Sequence, residues 1–178
     1  MKANLITIVG DLTDDTLEKF VEDFYEAEAR PGPITVLICS NGGSQSAGTA
    51  IYSLLRASSK HITTIAIADV CSMALLVFQA GDKRVMSEGA SLLLHDGTIE
   101  LSDRLLNAKS YIDESMRHHL WYNKQVAERS GIDIKVVTQL SREETYFTPV
   151  EALERGLTDA IAPYRSFKSA TKPKRKKS

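Results

Sequence analysis

The first 80 residues alternate between short apolar runs and longer segments in which apolar residues recur every three or four positions. The short runs predict β-strands, and those at 34–39 and 62–68 are apolar enough to be buried on both faces. The longer segments predict amphipathic α-helices. This alternation predicts βαβ units around a parallel sheet, and therefore an α/β fold. The strands are predicted at 5–9, 34–39 and 62–68, and the helices at 14–29, 45–57 and 72–80.

A long helix, predicted over 101–129, dominates the second half of the chain, and Gly131 ends it. It carries more apolar side chains than one small domain can cover, so part of its surface is expected to contact another chain. Its apolar stripe consists of Leu105, Ala108, Ile112, Met116 and Leu120, and the surplus includes Tyr111, Met116, Trp121 and Tyr122. Shorter strands are predicted at 85–86 and 91–94, a strand end at 146–147, and helices at 134–140 and 150–155.

The charge is unevenly distributed along the 178 residues. Residues 164–178 contain seven Lys or Arg and no acid, which leaves 15 basic against 23 acidic residues in the rest. A body with a net charge of −8 does not favour nucleic-acid binding. The length suits one domain, so we expect a single domain over 1–163 followed by a basic, disordered tail over 164–178.

Cysteine usage and hydropathy bear on compartment and cofactor. Cys39 and Cys71 lie inside apolar runs without the spacing of metal ligands, and both are expected to be buried, reduced thiols in a reducing cytosol. The N-terminal apolar run is too short for a signal peptide, and no run is long enough to span a membrane. The sequence therefore predicts a cytoplasmic protein without a metal or another cofactor.

Two of the predicted strand-to-helix turns contain residues suited to chemistry, and such turns meet at the carboxyl edge of a parallel sheet. Gly42-Gly43 lets the backbone approach a ligand and direct N–H groups at a negative charge, although a tight turn without a ligand fits equally. Ser72 lies where the helix dipole favours an oxyanion, and helix capping is the alternative. His95 ends a strand, either as a base or as a hydrogen-bonded structural residue.

Taken together, four ordered motifs resemble the proteolytic subunit of Clp protease, over about residues 5–161. The segment Ser40-Asn41-Gly42-Gly43 resembles the family's Ser-Pro-Gly-Gly, and Cys71-Ser72-Met73 resembles its Ala-Ser-Met nucleophile turn. The remaining similar segments are Ala47-Gly48, Ile51-Tyr52, 80–84, Leu93-Leu94-His95 and 146–159. The resemblance implies the ClpP/crotonase-like fold of repeated ββα and βαβ units, with the long helix protruding as a handle.

The resemblance also implies the roles of individual residues. Ser72 would be the nucleophile of a serine endopeptidase and His95 its base, with the Gly43 and Met73 N–H groups as the oxyanion hole. Counting back from Tyr146, the family's catalytic Asp falls on Glu144. Asp96, next to the base, is the competing acid, although neighbouring side chains on a strand point to opposite faces.

The implied assembly is a ring-shaped homo-oligomer, a heptamer or a tetradecamer, that encloses the active sites and receives peptide or unfolded protein substrates. A partner AAA+ unfoldase would supply any ATP dependence. Because the first strand begins at residue 5, the chain lacks the family's axial-loop segment, and ordinary docking to that ATPase is not expected. Asn41, Ala74 and Asp96-Gly97 also depart from the family pattern, and in this the chain resembles divergent phage- or prophage-borne members, some of which act in capsid maturation.

Three alternatives to a Clp-type peptidase remain. The chain could be a catalytically inactive scaffold subunit, although it retains Ser72, His95 and a carboxylate. It could be a prohead protease of the capsid-maturation kind. An acyl-CoA enzyme of the crotonase type shares the fold and the paired N–H groups, but it does not need a serine followed by a histidine at this spacing.

Overall fold

In the computed structural model, residues 4–97 and 105–163 are described, and they form a seven-stranded sheet with six helices. The α/β class predicted from the sequence is confirmed. In chain order the elements are β1 Leu5–Val9, α1 Asp14–Glu28, β2 Ile34–Ser40, α2 Gln45–Ala57, β3 Ile62–Cys71, α3 Met73–Gln79, β4 Lys83–Ser87, β5 Ser91–Leu94, α4 Leu105–Ser130, α5 Ile134–Arg142, β6 Thr145–Phe147, α6 Pro149–Glu154 and β7 Ala160–Ala162.

The sheet is parallel along the path β1-β2-β3-β4-β7, and it forks at β3. The first half of β3 pairs with β4, and its last residues, Asp69 to Cys71, pair in parallel with β5. An irregularity in the β2–β3 register, after Ile38, accompanies the fork. β6 then adds antiparallel to β5. The fork brings the ends of β3 and β5 together at one edge.

Helix α3 lies at the centre of the fold, since all seven of its residues are buried. The core around it is aliphatic, and Ile38, Ile51 and Leu76 have no exposed surface. Burial of such side chains contributes roughly 1.5–3 kcal/mol each. Ser72 directly precedes α3, so the packing of the core fixes the position of that serine.

A buried ionic network holds the C-terminal end of α3. Arg84 donates to the Gln79 side chain at 2.6 Å and to both carboxylate oxygens of Asp159, at 2.6 and 3.1 Å. Arg129 caps the helix by donating to the Gln79 carbonyl at 2.9 Å. Desolvation would raise the pKa of Asp159, but the hydrogen bonds and charge of Arg84 outweigh it and lower that pKa. The motif at residues 80–84 therefore has a structural role.

Most predicted strands and helices match those of the structure within two residues at each end. Two elements and one buried side chain differ from the predictions. β3 runs to Cys71 instead of residue 68, and β7 was not predicted. Tyr122, counted among the surplus apolar side chains, is only 4% exposed. The predicted helix start at 101–104 and the tail at 164–178 lie outside the described residues. Among the described helices, none is both long and apolar enough to cross a membrane.

Candidate active site

Ser72 and His95 meet because they follow adjacent parallel strands. Cys71, the last residue of β3, is paired with Leu93 of β5, and the Ser72 N–H donates to the Leu93 carbonyl at 3.0 Å. Ser72 directly follows β3, and His95 directly follows β5. The carboxyl ends of the two strands thus place the imidazole-bearing residue beside the turn that carries the serine.

The Ser72 backbone is strained, with φ 55° and ψ −127°. Its side chain makes no capping hydrogen bond to α3, so the structure does not bear out the helix-capping alternative. Positive φ at a residue with a Cβ costs on the order of 1–2 kcal/mol, and such strain concentrates at functional sites. The Ser72 hydroxyl therefore does not cap α3, and the strained backbone at this position favours another role for it.

The Gly42-Gly43 turn packs directly onto the Ser72 turn. A Cβ on Gly42 would lie 2.7 Å from Ser72 Cβ, and one on Gly43 would lie 2.6 Å from the Leu12 carbonyl oxygen. Both glycines have positive φ, of 98° and 132°. Only glycine, which has no Cβ, allows the backbone to come this close to Ser72 and Leu12.

Among the described residues, the main-chain N–H groups of Gly43 and Met73 have no acceptor. The isolated bridge to Leu12 uses the Gly42 carbonyl and the Ser44 N–H, and so leaves the Gly43 N–H unused. Met73 is the first residue of α3, where N–H groups have no partner inside the helix. Such a pair can donate to an oxyanion.

A cleft of about 570 Å³ opens over the turn. It contains all four residues predicted to act at the nucleophile, the base and the oxyanion hole, and it contains Asp96 as well. Glu144 does not line it. The four predicted lining residues are Gly43, Ser72, Met73 and His95.

Glu144 directly precedes β6, and His95 directly follows β5. The last pair of these antiparallel strands is Leu94 and Thr145, so Glu144 and His95 are the residues next to that pair. Glu144 is exposed, and its φ is 50°. Within residues 4–97 and 105–163, Ser72 and Glu144 are the two non-glycine residues with positive φ. The described hydrogen bonds include none that joins Ser72, His95 and Glu144.

Asp96 has other partners. Its Oδ1 accepts a hydrogen bond from Ser141 Oγ at 2.7 Å and lies 3.0 Å from His119 Nε2. The Asp96 N–H also donates to the Ser141 carbonyl at 3.0 Å. One carboxylate oxygen of Asp96 is therefore engaged by residues of α4 and α5.

The sequence reasoning missed one polar face of α4. His118, His119 and Tyr122 line the cleft with Ser115, at helical spacings of three and four that a search of the helix for polar periodicity would detect. Burial, reinforced by the neighbouring His119, lowers the pKa of His118. Among the described residues, no cluster of three or more His, Cys, Asp or Glu could hold a metal ion.

Tyr122 touches the nucleophile turn itself, since its hydroxyl donates to the Ser72 carbonyl at 3.1 Å. Burial raises the pKa of this phenol, which keeps it protonated as a donor. Tyr122→Phe is expected to cost about 1 kcal/mol of stability and to lower kcat several-fold, roughly tenfold at most, because the strained turn loses one restraint. Urea unfolding and peptide hydrolysis measure the two effects.

The control is Tyr25→Phe, at an exposed tyrosine of α1. It should change neither quantity. Unchanged stability and turnover in Tyr122→Phe would show that the hydrogen bond to Ser72 contributes nothing.

Comparison with known proteins identifies the family and the fold. The family model described as Clp protease matches residues 1–165. The fold is similar to that of a ClpP1 mutant from Listeria monocytogenes, with a TM-score of 0.84 and 19% sequence identity, over 92% of this chain and 93% of that one. Because the family model covers nearly the whole chain, this protein belongs to the Clp protease family.

Proposed function

We propose that this protein is a serine endopeptidase with Ser72 as its nucleophile. The observation that carries the proposal is the Ser72 turn, which is strained, makes no cap, and faces a cleft that contains His95. The turn also lies at the N-terminus of α3, where the helix dipole favours developing negative charge.

In the proposed reaction, Ser72 Oγ attacks the carbonyl carbon of the scissile peptide bond while His95 accepts the hydroxyl proton. The carbonyl oxygen becomes an oxyanion, to which the Gly43 and Met73 N–H groups donate. His95 then protonates the leaving amine, and the C–N bond breaks to leave an acyl-enzyme. Water, deprotonated by His95, hydrolyses the ester and regenerates Ser72. Loss of one oxyanion donor typically costs roughly 3–4 kcal/mol of transition-state stabilisation.

We assign the third member of the triad to Glu144. The assignment is supported by the positions of Glu144 and His95, which adjoin the last pair of β5 and β6. Glu144 also keeps a disfavoured φ of 50° although it is exposed, so packing in the hydrophobic core does not account for that conformation. A carboxylate at this place orients the imidazole and stabilises its protonated form. Asp96 is the weaker candidate because Ser141 and His119 engage it.

A serine-reactive fluorophosphonate probe tests the assignment. Wild-type protein is expected to gain one adduct by intact mass, and Ser72→Ala none. An unlabelled wild type would favour an inactive scaffold. Coenzyme A binding, measured by calorimetry, would favour the crotonase-type alternative. Peptide cleavage only in capsid assembly mixtures would favour a prohead protease.

We also propose assembly into a homo-oligomeric ring, a heptamer or a tetradecamer. One side of α4 exposes large apolar side chains, with Ile112 41%, Met116 53% and Leu120 58% exposed. Repeated at spacings of four, they form a stripe that a second copy can cover. Sedimentation is therefore expected to show a species several times the chain mass, and Ile112→Glu with Leu120→Glu should lower that mass.

Glu22→Lys, an exposed change on α1, is the matched control for assembly and should leave sedimentation unchanged. A stable monomer at micromolar concentration for the wild type would contradict the ring. The ring would act on peptides or unfolded proteins in the cytoplasm, and a folded protein would become a substrate only after a partner AAA+ unfoldase had unfolded it.

A further inference from the structure

The carboxylate of Asp96 takes part in a reciprocal clamp between β5 and the end of α5. The Asp96 N–H donates to the Ser141 carbonyl at 3.0 Å, and the Ser141 hydroxyl returns a hydrogen bond to Asp96 Oδ1 at 2.7 Å. Ser141 has no exposed surface, so this hydroxyl needs an internal partner. Two bonds in opposite directions between the same two residues fix both their distance and their orientation.

Helix α4 supports the clamp from a third side. His119 Nε2 lies 3.0 Å from Asp96 Oδ1, and with a proton on that nitrogen the imidazole donates to the carboxylate. The side-chain amide of Asn123 also faces His119 Nε2. With the amide oxygen turned toward that nitrogen, the oxygen accepts from the same N–H that donates to Asp96. The His119 side chain is 22% exposed and that of Asp96 is 45% exposed, so this contact lies at the edge of the protein interior.

The clamp acts on the turn that carries Glu144. The Ser141 carbonyl that accepts from Asp96 also accepts from the Glu144 N–H, at 3.3 Å. A single carbonyl thus joins the residue after His95 to the backbone of Glu144. Since the positive φ of Glu144 is disfavoured by on the order of 1–2 kcal/mol, the conformation persists only where its surroundings impose it.

We propose that Asp96 is a positioning residue: with Ser141 it holds the Glu144 turn against the end of β5, and so keeps the acid opposite His95. This inference rests on the proposed function. It gives Asp96 a task other than that of triad acid, and the task depends on an acceptor oxygen at Oδ1 and not on the negative charge.

Kinetics of three variants test the clamp. Asp96→Ala removes the acceptor and should lower kcat roughly 10- to 100-fold with KM within about twofold, because the chemistry and not substrate binding is displaced. Asp96→Asn keeps an oxygen for the Ser141 hydroxyl and should retain kcat within about threefold. Ser141→Ala removes the other partner, keeps every charge, and should match Asp96→Ala. The double variant Asp96→Ala/Ser141→Ala should be no worse than either single one.

Amide hydrogen exchange tests the clamp without reference to activity. In Asp96→Ala and Ser141→Ala, exchange of the amides at 143–145 should rise at least about tenfold while the α3 amides stay protected. Should Asp96→Ala fail to fold, Ser141→Ala carries the comparison alone. Unchanged exchange and turnover in Ser141→Ala would overturn the clamp, even where fluorophosphonate labels Ser72. Faster exchange in a wild type that the probe never labels would uphold the clamp and reject the peptidase.

Discussion

Replacing Ser72 with alanine is expected to abolish hydrolysis of short peptides, with a fall in kcat of at least about a thousandfold. The side chain lost is a single hydroxyl that makes no capping bond to α3. The core side chains beneath α3 stay in place, so the fold and the oligomer should be retained. The residual rate then reflects binding and the oxyanion donors alone.

Peptide turnover and sedimentation are measured together on the purified variant. Ser53→Ala is the matched control, since Ser53 is an exposed serine whose hydroxyl bonds only to the Thr49 carbonyl of its own helix. That control should hydrolyse peptide at the wild-type rate. Residual activity of Ser72→Ala within about tenfold of wild type would mean that another residue is the nucleophile.

Glu144→Gln is expected to lower kcat by two or more orders of magnitude while leaving the fold and the oligomer intact. The amide has the size of the carboxylate but cannot stabilise the imidazolium that forms on His95. Because Glu144 is exposed, the substitution buries no new polar group and creates no cavity. Circular dichroism and sedimentation should therefore be unchanged, and the loss should lie in turnover.

The comparison with Asp96→Asn assigns the acid. That variant should lose far less activity, because the amide oxygen still accepts from Ser141. Glu154→Gln, at an exposed glutamate of α6, controls for the loss of one surface charge. Severe loss in Asp96→Asn with near-normal turnover in Glu144→Gln would place the acid at Asp96 instead.

The backbone links these two predictions. Ser72 and Glu144 share positive φ, which no other non-glycine residue among 4–97 and 105–163 adopts. Each conformation is supported by a contact with a distant part of the chain: the Tyr122 hydroxyl donates to the Ser72 carbonyl, and the Ser141 carbonyl, which accepts locally from the Glu144 N–H, also accepts from the Asp96 N–H. Strain of this kind persists where packing over-determines it, and it pre-orients a side chain before substrate arrives.

The sequence determined the repeated units and the ends of most strands and helices. Apolar periodicity and the Gly131 stop are local signals, and local geometry suffices to interpret them. The motifs also identified the residues that line the cleft at the nucleophile turn, Gly43, Ser72, Met73 and His95. Each lies just after a strand or at the start of a helix. In a parallel fold such positions lie at the carboxyl edge of the sheet, so the sequence alone indicates where they are.

Tertiary structure alone decided which residues face one another across elements. α4 is separated from Ser72 by a large stretch of chain, so nothing local indicates that Tyr122 bonds to the serine turn or that His119 reaches Asp96. The strand β7 is three residues long and too short to show a period of two. Its pairing with β4 stabilises it, and pairing partners are not encoded in one strand's pattern.

The surface of α4 shows the same division. Its apolar residues were predicted correctly as a helical stripe, but the sequence could not say which of them the chain itself covers. Packing buries Tyr122 under the active-site turn and leaves Leu120 58% exposed two positions away. Hydrophobicity fixes which side chains must leave water; the three-dimensional arrangement of the other elements fixes whether this chain or a second copy covers them.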